Sequence, residues 1–339
     1  ARRILFRAHP GERVVLDASR LAGRVAVGVG GRYVDVQGFE ISGPAQVGIS
    51  VWGGAHVRVV GNRLHGQTSA GIFTGFSSAG TVKDVDVSGN TVWDEATSNR
   101  AHTEGGGWGQ GVTVGNETED VRVTANTIYH SHGEGLGVGG VRAVVDGNVL
   151  YDNWSAGIYV DQGTRDTISH NLVYATGDRA WNRFGMPSTS IQIANEGRAR
   201  PELLTGLKIH DNVLVGGRSG IGYWSSYGVG GGLRNSVIEH NTVYGSASED
   251  LLVQPDAGHT GTTVTANVFV RHGAGRLADV PASGGISFAG NCWSAAPPAR
   301  VAGRGDVVAV PRFVRAGGTT LGDYALAPGS PCAGLGARR

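Results

Sequence analysis

Eight asparagines constrain this chain more than any other feature. Asn62, Asn90, Asn126, Asn148, Asn171, Asn212, Asn241 and Asn267 each stand two residues before a Val, Ile, Leu or Phe, as in GNTVWD, ANTIYH and HNTVYG. Asn126 and Asn148 are 22 residues apart, and Asn148 and Asn171 are 23 apart. Wider gaps fit one unit plus an inserted loop. Two more elements recur in the units. An alternating strand runs up to the Asn, as in HVRVVGN and LKIHDN, and a Gly precedes Ile, Val or Leu at Gly48, Gly71, Gly111, Gly135, Gly157 and Gly220. A fixed period of this size without helical patterning marks a solenoid whose unit is three short strands and their turns. At ~3.3 Å per residue, one unit traces a coil of roughly 70 Å perimeter, and the next coil stacks ~4.8 Å above it. The fold expected is all-β, a right-handed parallel β-helix with a C-terminal cap. Residues 1–290 form the coils, with inserted loops near 94–107 and 175–189. Residues 291–339 form the last coil and cap of the same domain. The repeat asparagines read as a stacked, hydrogen-bonded ladder.

Composition agrees. The chain has 58 glycines in 339 residues and only 17% charged residues, a mixture poor in helix formers. The formal net charge is +1, and no dense Lys/Arg run suggests nucleic acid as a partner. No apolar stretch reaches the roughly 18–20 residues of a membrane span.

The Asn and Gly patterns, the opening FRAHPGERVVLD and the closing DYALAPGSPCAGLG resemble the bacterial right-handed parallel β-helix (pectin-lyase-like) superfamily over essentially the whole chain. The resemblance implies a carbohydrate-related function. Its members include pectate and alginate lyases, polygalacturonase-like hydrolases, mannuronan epimerases and non-catalytic surface proteins. The Asp-Pro-His-Glu run of the epimerases and the paired Asp-Asp with Gly-His-Gly of the polygalacturonases are both missing, so no site residue is carried over from those families.

Stacked coils make columns from residues distant in sequence. Aligning on Gly111, Gly135 and Gly157 places Trp108, His132 and Trp154 together, then Gln110, Glu134 and Ala156, then Gly106, His130 and Asp152. Later positions align Thr113, Gly137 and Tyr159, then Gly115, Gly139 and Asp161. The glycines read as a bare floor for a flat ligand. His130, His132 and Glu134 would edge that floor, with Trp108 and Trp154 as sugar-stacking platforms beside it. One insertion, DEATSNRAHTEGGGWGQG, brings Asp94, Glu95, His102 and Glu104; the other brings Arg179, Trp181 and Arg183. A second aromatic patch holds Tyr223, Trp224 and Tyr227.

The favoured chemistry is elimination, or epimerisation, on a uronic-acid polysaccharide. This needs a base, a group that neutralises the carboxylate and an acid for the leaving oxygen. His130 or His132 is the candidate base, Tyr159 the proton donor, and Arg179 or Arg183 the carboxylate partner. A calcium ion on Asp161, Glu117 and Glu196 is an alternative neutraliser. A glycoside hydrolase would draw two carboxylates from Glu104, Glu134, Asp152 and Asp161. HSHGE also has the spacing of a zinc or iron site on His130, His132 and Glu134. The non-catalytic reading is a carbohydrate-binding or adhesive solenoid, with Trp108, Trp154, Trp181, Trp224, Gln110 and the arginines as binding groups. In every reading the partner is a polysaccharide or oligosaccharide.

The ends carry two further expectations. Cys292 and Cys332 are the only cysteines; a disulfide between them would tie the cap to the last coils and fit a secreted or cell-surface protein, the alternative being two buried thiols. The first residues contain no capping segment, which leaves room for something upstream of Ala1.

Overall fold

The computed structural model describes residues 2–75, 82–103, 109–196, 204–225 and 231–338. The chain folds as a right-handed parallel β-helix, whose successive coils stack their strands into three parallel sheets. In one coil these are Thr118–Thr124 in the first sheet, Thr127–Tyr129 in the second and Glu134–Val138 in the third. Two compact units are distinguished, Ala1–Tyr159 and Val160–Arg339, with the boundary inside the strand Ala156–Asp161.

Period-two alternation decides which side chains point inward. In Ala55–Val60, Ala55, Val57 and Val59 are buried, while His56, Arg58 and Val60 are not. Stacking then places like on like. In the first unit Ile49, Ile72, Val112 and Leu136 share one register in the third sheet, all shielded from solvent.

The asparagine ladder forms as expected. In the first unit the Asn62 Nδ2 donates to Asn90 Oδ1 at 3.1 Å, and Asn90 to Asn126 and Asn126 to Asn148 each at 2.9 Å. In the second unit the same bonds run from Asn171 through Asn212, Asn241 and Asn267 to Asn291. The ladder amides also close backbone N–H bonds in the preceding coil, as Asn148 Oδ1 does for Asn126 at 2.9 Å. Losing one amide therefore strands buried partners in two coils, at a cost of about 1–3 kcal/mol for each unsatisfied group.

Cys292 and Cys332 form a disulfide with 5.8 Å between the Cα atoms. Both pack with Val268 and Val270, and Tyr244, Val307, Phe313, Leu326 and Leu335 close around them. The tail runs back along the second sheet. The Gly336 N–H reaches the Ala266 carbonyl at 2.8 Å, and Arg338 makes a two-pronged ion pair with Asp211.

At the other end, Ile4, Leu5, Phe6, Val15 and Val25 of the first coil are exposed. Ile4 and Phe6 are in register with the buried Val34 and Val36. They are core positions of a coil with no described coil stacked beyond it.

Candidate functional site

The predicted register holds: Gln110 pairs with Glu134, and Thr113 with Gly137. The bare floor does not. The Gln110 side chain lies across Gly137, where a Cβ would stand 2.2 Å from its Oε1. The glycine is there to admit that amide, and the surface is filled.

The ionisable groups gather instead where the insertion leaves the second sheet. The strands Arg63–His65, Thr91–Trp93, Thr127–Tyr129 and Val149–Tyr151 are in register, so Gln67, Glu95, Ser131 and Asn153, two residues past each strand, form a buried polar column. At Asp94 and Ala96 the backbone turns left-handed, with φ of 54° and 56°, and a short 3-10 turn, Thr97–Asn99, follows. This swings the insertion over the next coil. The His132 N–H donates to the Glu95 carbonyl at 2.9 Å, and the Asn99 side chain donates to the His132 carbonyl at 2.7 Å. Thr103 then locks Asn99 through its N–H and hydroxyl, both 3.0 Å from Asn99 Oδ1.

That scaffold lines up a chain of titratable side chains. Arg100 donates to Asp94 Oδ2 at 2.5 Å. Asp94 Oδ1 is 3.1 Å from His132 Nε2, and His132 Nδ1 is 2.9 Å from His102 Nε2. His132 is only 7% exposed, whereas His102 is half-buried. The His102 ring is stacked on Trp154 with centroids 4.9 Å apart and planes 14° apart.

Hydrogen-bond logic assigns the protons along this chain. Burial works against the Asp94 charge, but the bonds from His132 and Arg100 outweigh it and hold its pKa below the ordinary carboxylate value. An ionised Asp94 can only accept, so His132 carries its proton on Nε2. The Nε2–H tautomer of His132 accepts at Nδ1, which calls for a donor at His102 Nε2. Burial first, and the neighbouring His132 second, lower the His102 pKa, which favours its uncharged form. The contacts run in a line, Asp94 to His132 Nε2 and His132 Nδ1 to His102. Among the described residues no group of three or more His, Cys, Asp or Glu is placed to hold a metal ion.

Beneath Asp94, the Glu95 carboxyl is fully shielded, and among the described residues the Gln67 backbone N–H is near it but outside good hydrogen-bond geometry. Burial drives its pKa well above the ordinary range, the Asp94 charge adds to this, and the Gln67 backbone N–H opposes it. Burial thus favours the protonated form of Glu95, in a column otherwise made of amides and a hydroxyl.

The sequence-derived site residues separate as follows. His132 belongs to the chain of hydrogen bonds, but as its buried middle. His130, at φ 56°, turns its ring edge-on to Tyr129 and Tyr151, so the two histidines of HSHGE do not form the expected zinc or iron pair. Trp154 is 1% exposed and supports His102, so it is no open sugar platform. Glu134, Asp152 and Tyr159 are buried. Glu104, Trp108 and Tyr227 lie outside the described residues. Asp94 and His102, the two ends that give His132 its meaning, were visible in the insertion only as ionisable residues. Their pairing with His132 needs the left-handed turns at Asp94 and His102, which no sequence pattern announces.

In the second unit, Asp161 is half-buried and accepts the Glu196 N–H at 3.1 Å. Burial pushes its pKa up to about 6, with the Glu196 charge contributing. In the first unit Glu117 is exposed, with its carbonyl bonded to the Val82 N–H at 3.2 Å. Arg179 is exposed on a short 3-10 turn capped by Asp178, and Trp181 is half-buried. The Arg183 guanidinium lies 5.0 Å over the Phe184 ring. Trp224 is half-buried at the end of Ser219–Trp224, while Tyr223 is buried.

Comparison with known proteins adds the following. The family model described as a right handed beta helix region matches residues 96–292. Among solved structures, an alginate lyase from Paenibacillus sp. str. FPU-7 superposes with a TM-score of 0.56 at 15% identity, covering 84% of this chain and 83% of that one. The PL6 family alginate lyase AlyGC also gives 0.56, at 13% identity over 97% of this chain and 52% of that one. The catalytic unit of a GH87 alpha-1,3-glucanase from Streptomyces thermodiastaticus strain HF3-3 gives 0.56 at 18% identity, covering 83% of this chain and 50% of that one. This chain thus spans about half the length of the latter two. At these identities the likeness is one of fold. No curated protein matches the chain.

Proposed function

Because the chain belongs to the right handed beta helix family, we propose that it is a carbohydrate-active enzyme that eliminates across, or epimerises, a uronic acid unit of a polysaccharide. The observation that carries this reading is the hydrogen-bonded chain from Asp94 through His132 to His102. Both reactions begin by removing the proton α to a carboxylate, which calls for a base that is neutral near pH 7 and whose conjugate acid is stabilised. We assign that role to the His102 imidazole. When it takes the proton, positive charge appears beside His132, and Asp94 stabilises it through the two hydrogen bonds while fixing the tautomer. Trp154 sets the plane of the imidazole, and Arg100 supplies a cation at the same corner. Two of the structural neighbours are named alginate lyases, which favours uronates over neutral sugars.

A second reading, hydrolysis, has one observation behind it. Asp161, raised to about 6 and beside Glu196, has the character of a general acid. Calcium held by Asp161 and Glu196 would be an alternative use of the same pair. The Cys292–Cys332 disulfide supports a secreted or cell-surface location.

The test is incubation with a panel of uronic-acid polysaccharides, following unsaturated product by ultraviolet absorbance and reducing ends separately. Unsaturated product that disappears in His102→Ala supports elimination. Exchange of the α-proton with solvent deuterium without chain cleavage supports epimerisation. New reducing ends without unsaturation, lost in Asp161→Asn, transfer the chemistry to the hydrolase reading.

A further inference from the structure

The outer face of the third sheet carries a second feature, well away from His102. Trp52 follows the strand Val47–Val51 and is 50% exposed. Its indole lies back across the neighbouring strand. A Cβ built on Gly28 would stand 3.2 Å from its Nε1, and one built on Gly30 would stand 3.1 Å from its Cζ2. Side chains at either position would lift the ring. Their absence beds one aromatic face on the backbone and leaves half of the residue in solvent. This is the reverse of Trp154, whose ring is used up inside the protein.

The charge around this platform is distinctive. Between Arg2 and Arg32 there are seven arginines and only two carboxylates, in a chain whose net charge is +1. Arg3 and Arg13 are paired with Asp35 and Glu40. Arg24, which leads into the strand Val25–Val29, and Arg32, two residues beyond Gly30, are exposed and enter no ion pair among the described residues. An open aromatic face bedded on a strand that Arg24 precedes and Arg32 follows suits a chain of sugar rings that carry carboxylates.

We propose that Trp52, Arg24 and Arg32 form an accessory binding surface for an anionic glycan chain, at a distance from the reacting centre. The proposal rests on the uronate reading of function and extends it to substrate length. Trp52 stands three strands along the third sheet from Glu134–Val138, at the opposite strand end from His132. With strands ~4.8 Å apart and ~3.3 Å per residue along them, the separation is on the order of 20 Å. Only a chain of several sugar residues reaches both places.

The test is binding of oligouronates of graded length, read by calorimetry so that it does not depend on turnover. Trp52→Ala is expected to weaken binding of long chains by about tenfold. It should leave disaccharide and trisaccharide binding, turnover of short substrates and thermal stability unchanged, and Trp52→Phe should recover most of the loss. Arg24→Ala with Arg32→Ala should flatten the salt dependence of long-chain binding. Equal affinity of Trp52→Ala and wild type for long chains overturns the proposal. So does equal loss for short and long chains, or no binding of any oligouronate. Binding of double-stranded DNA as tight as that of long oligouronates, and indifferent to Trp52, would also overturn it and give the surface to nucleic acid. If His102→Ala keeps full turnover while Trp52→Ala loses long-chain affinity, the acid–base reading fails and this one stands.

Discussion

Two corners of this molecule each bring together an aspartate, a histidine and an aromatic ring, with opposite consequences. In the second unit, Asp256 accepts from the Tyr223 hydroxyl at 2.6 Å, the Gly258 N–H at 2.8 Å, the Ser225 hydroxyl at 3.2 Å and the Gly231 N–H at 3.3 Å. His259 Nδ1 accepts the Leu233 N–H at 3.0 Å, its Nε2 faces the Gln254 carbonyl at 3.1 Å, and the residue is buried. Every polar group there ends on protein, so the cluster is a structural knot that pins a turn. In the first unit the series from Asp94 through His132 runs outward to a half-buried histidine stacked on Trp154. Residue types do not distinguish the two corners. What distinguishes them is exposure: His259 is buried, whereas His102 is half-buried.

Substitutions can break this contrast, starting with the largest effect. His102→Ala is expected to lower turnover of uronate polymers by about 10²–10⁴-fold, the usual worth of a general base. The thermal midpoint should stay near wild type, because His102 is only half-buried; steady-state kinetics with a melting curve checks both. Next comes Asp94→Asn, which removes the charge and leaves one acceptor oxygen for two donors, so that with the oxygen on Arg100 an NH2 faces His132. Turnover should fall roughly 10²-fold or more. The Asp94 pKa is lowered in the folded state, so its contribution to stability is present above the unfolded carboxylate pKa and disappears as pH falls through the folded value. Wild type and variant should therefore converge in stability in acid, as denaturation at graded pH would show.

At the other corner Tyr223→Phe should do the converse. It strips a donor from Asp256 and an acceptor from the Gly232 N–H, and should cost about 1–3 kcal/mol of stability while turnover is unchanged. A large loss of activity there would erase the distinction between the corners. Glu95→Gln should have the smallest effect and a different sign. The folded pKa of Glu95 is raised, so its contribution to stability is complete below the unfolded value of about 4.3 and declines as pH rises toward the folded pKa. The amide does not titrate and suits the polar column of Gln67, Ser131 and Asn153. The variant should be the more stable by about 1 kcal/mol at mildly alkaline pH and should lose that decline. Denaturant midpoints across pH would reveal it.

The fold was legible because a solenoid repeats its instructions. The Asn spacing predicts the ladder, the alternation before each Asn predicts the inward positions, and the Gly-apolar column predicts the Gln110–Glu134 register. The site was legible only in part, because it arises where the repeat is interrupted. Column alignment finds His132 and Trp154, since both sit on regular coils. It assigns them wrong tasks, since it has no means to place an insertion whose path depends on left-handed residues at Asp94, Ala96 and His102. Exposure is equally invisible in such columns. Trp154 and Trp52 both read as tryptophans near glycines, yet one props a histidine inside the protein and the other lies open on a sheet. The disulfide required the tail to fold back beside Val268 and Val270, which spacing alone left open.

The most direct test of the contrast between the corners is nitrogen-15 NMR of the histidine rings through a pH titration. The account predicts that His102 is neutral at pH 7, carries its proton on Nε2 with the lone pair on Nδ1, and titrates below an ordinary histidine. It also predicts that Asp94→Asn changes the tautomer of His132. A His102 that is protonated at neutral pH, or that holds its proton on Nδ1, would contradict the assignment of this corner as a proton-accepting site.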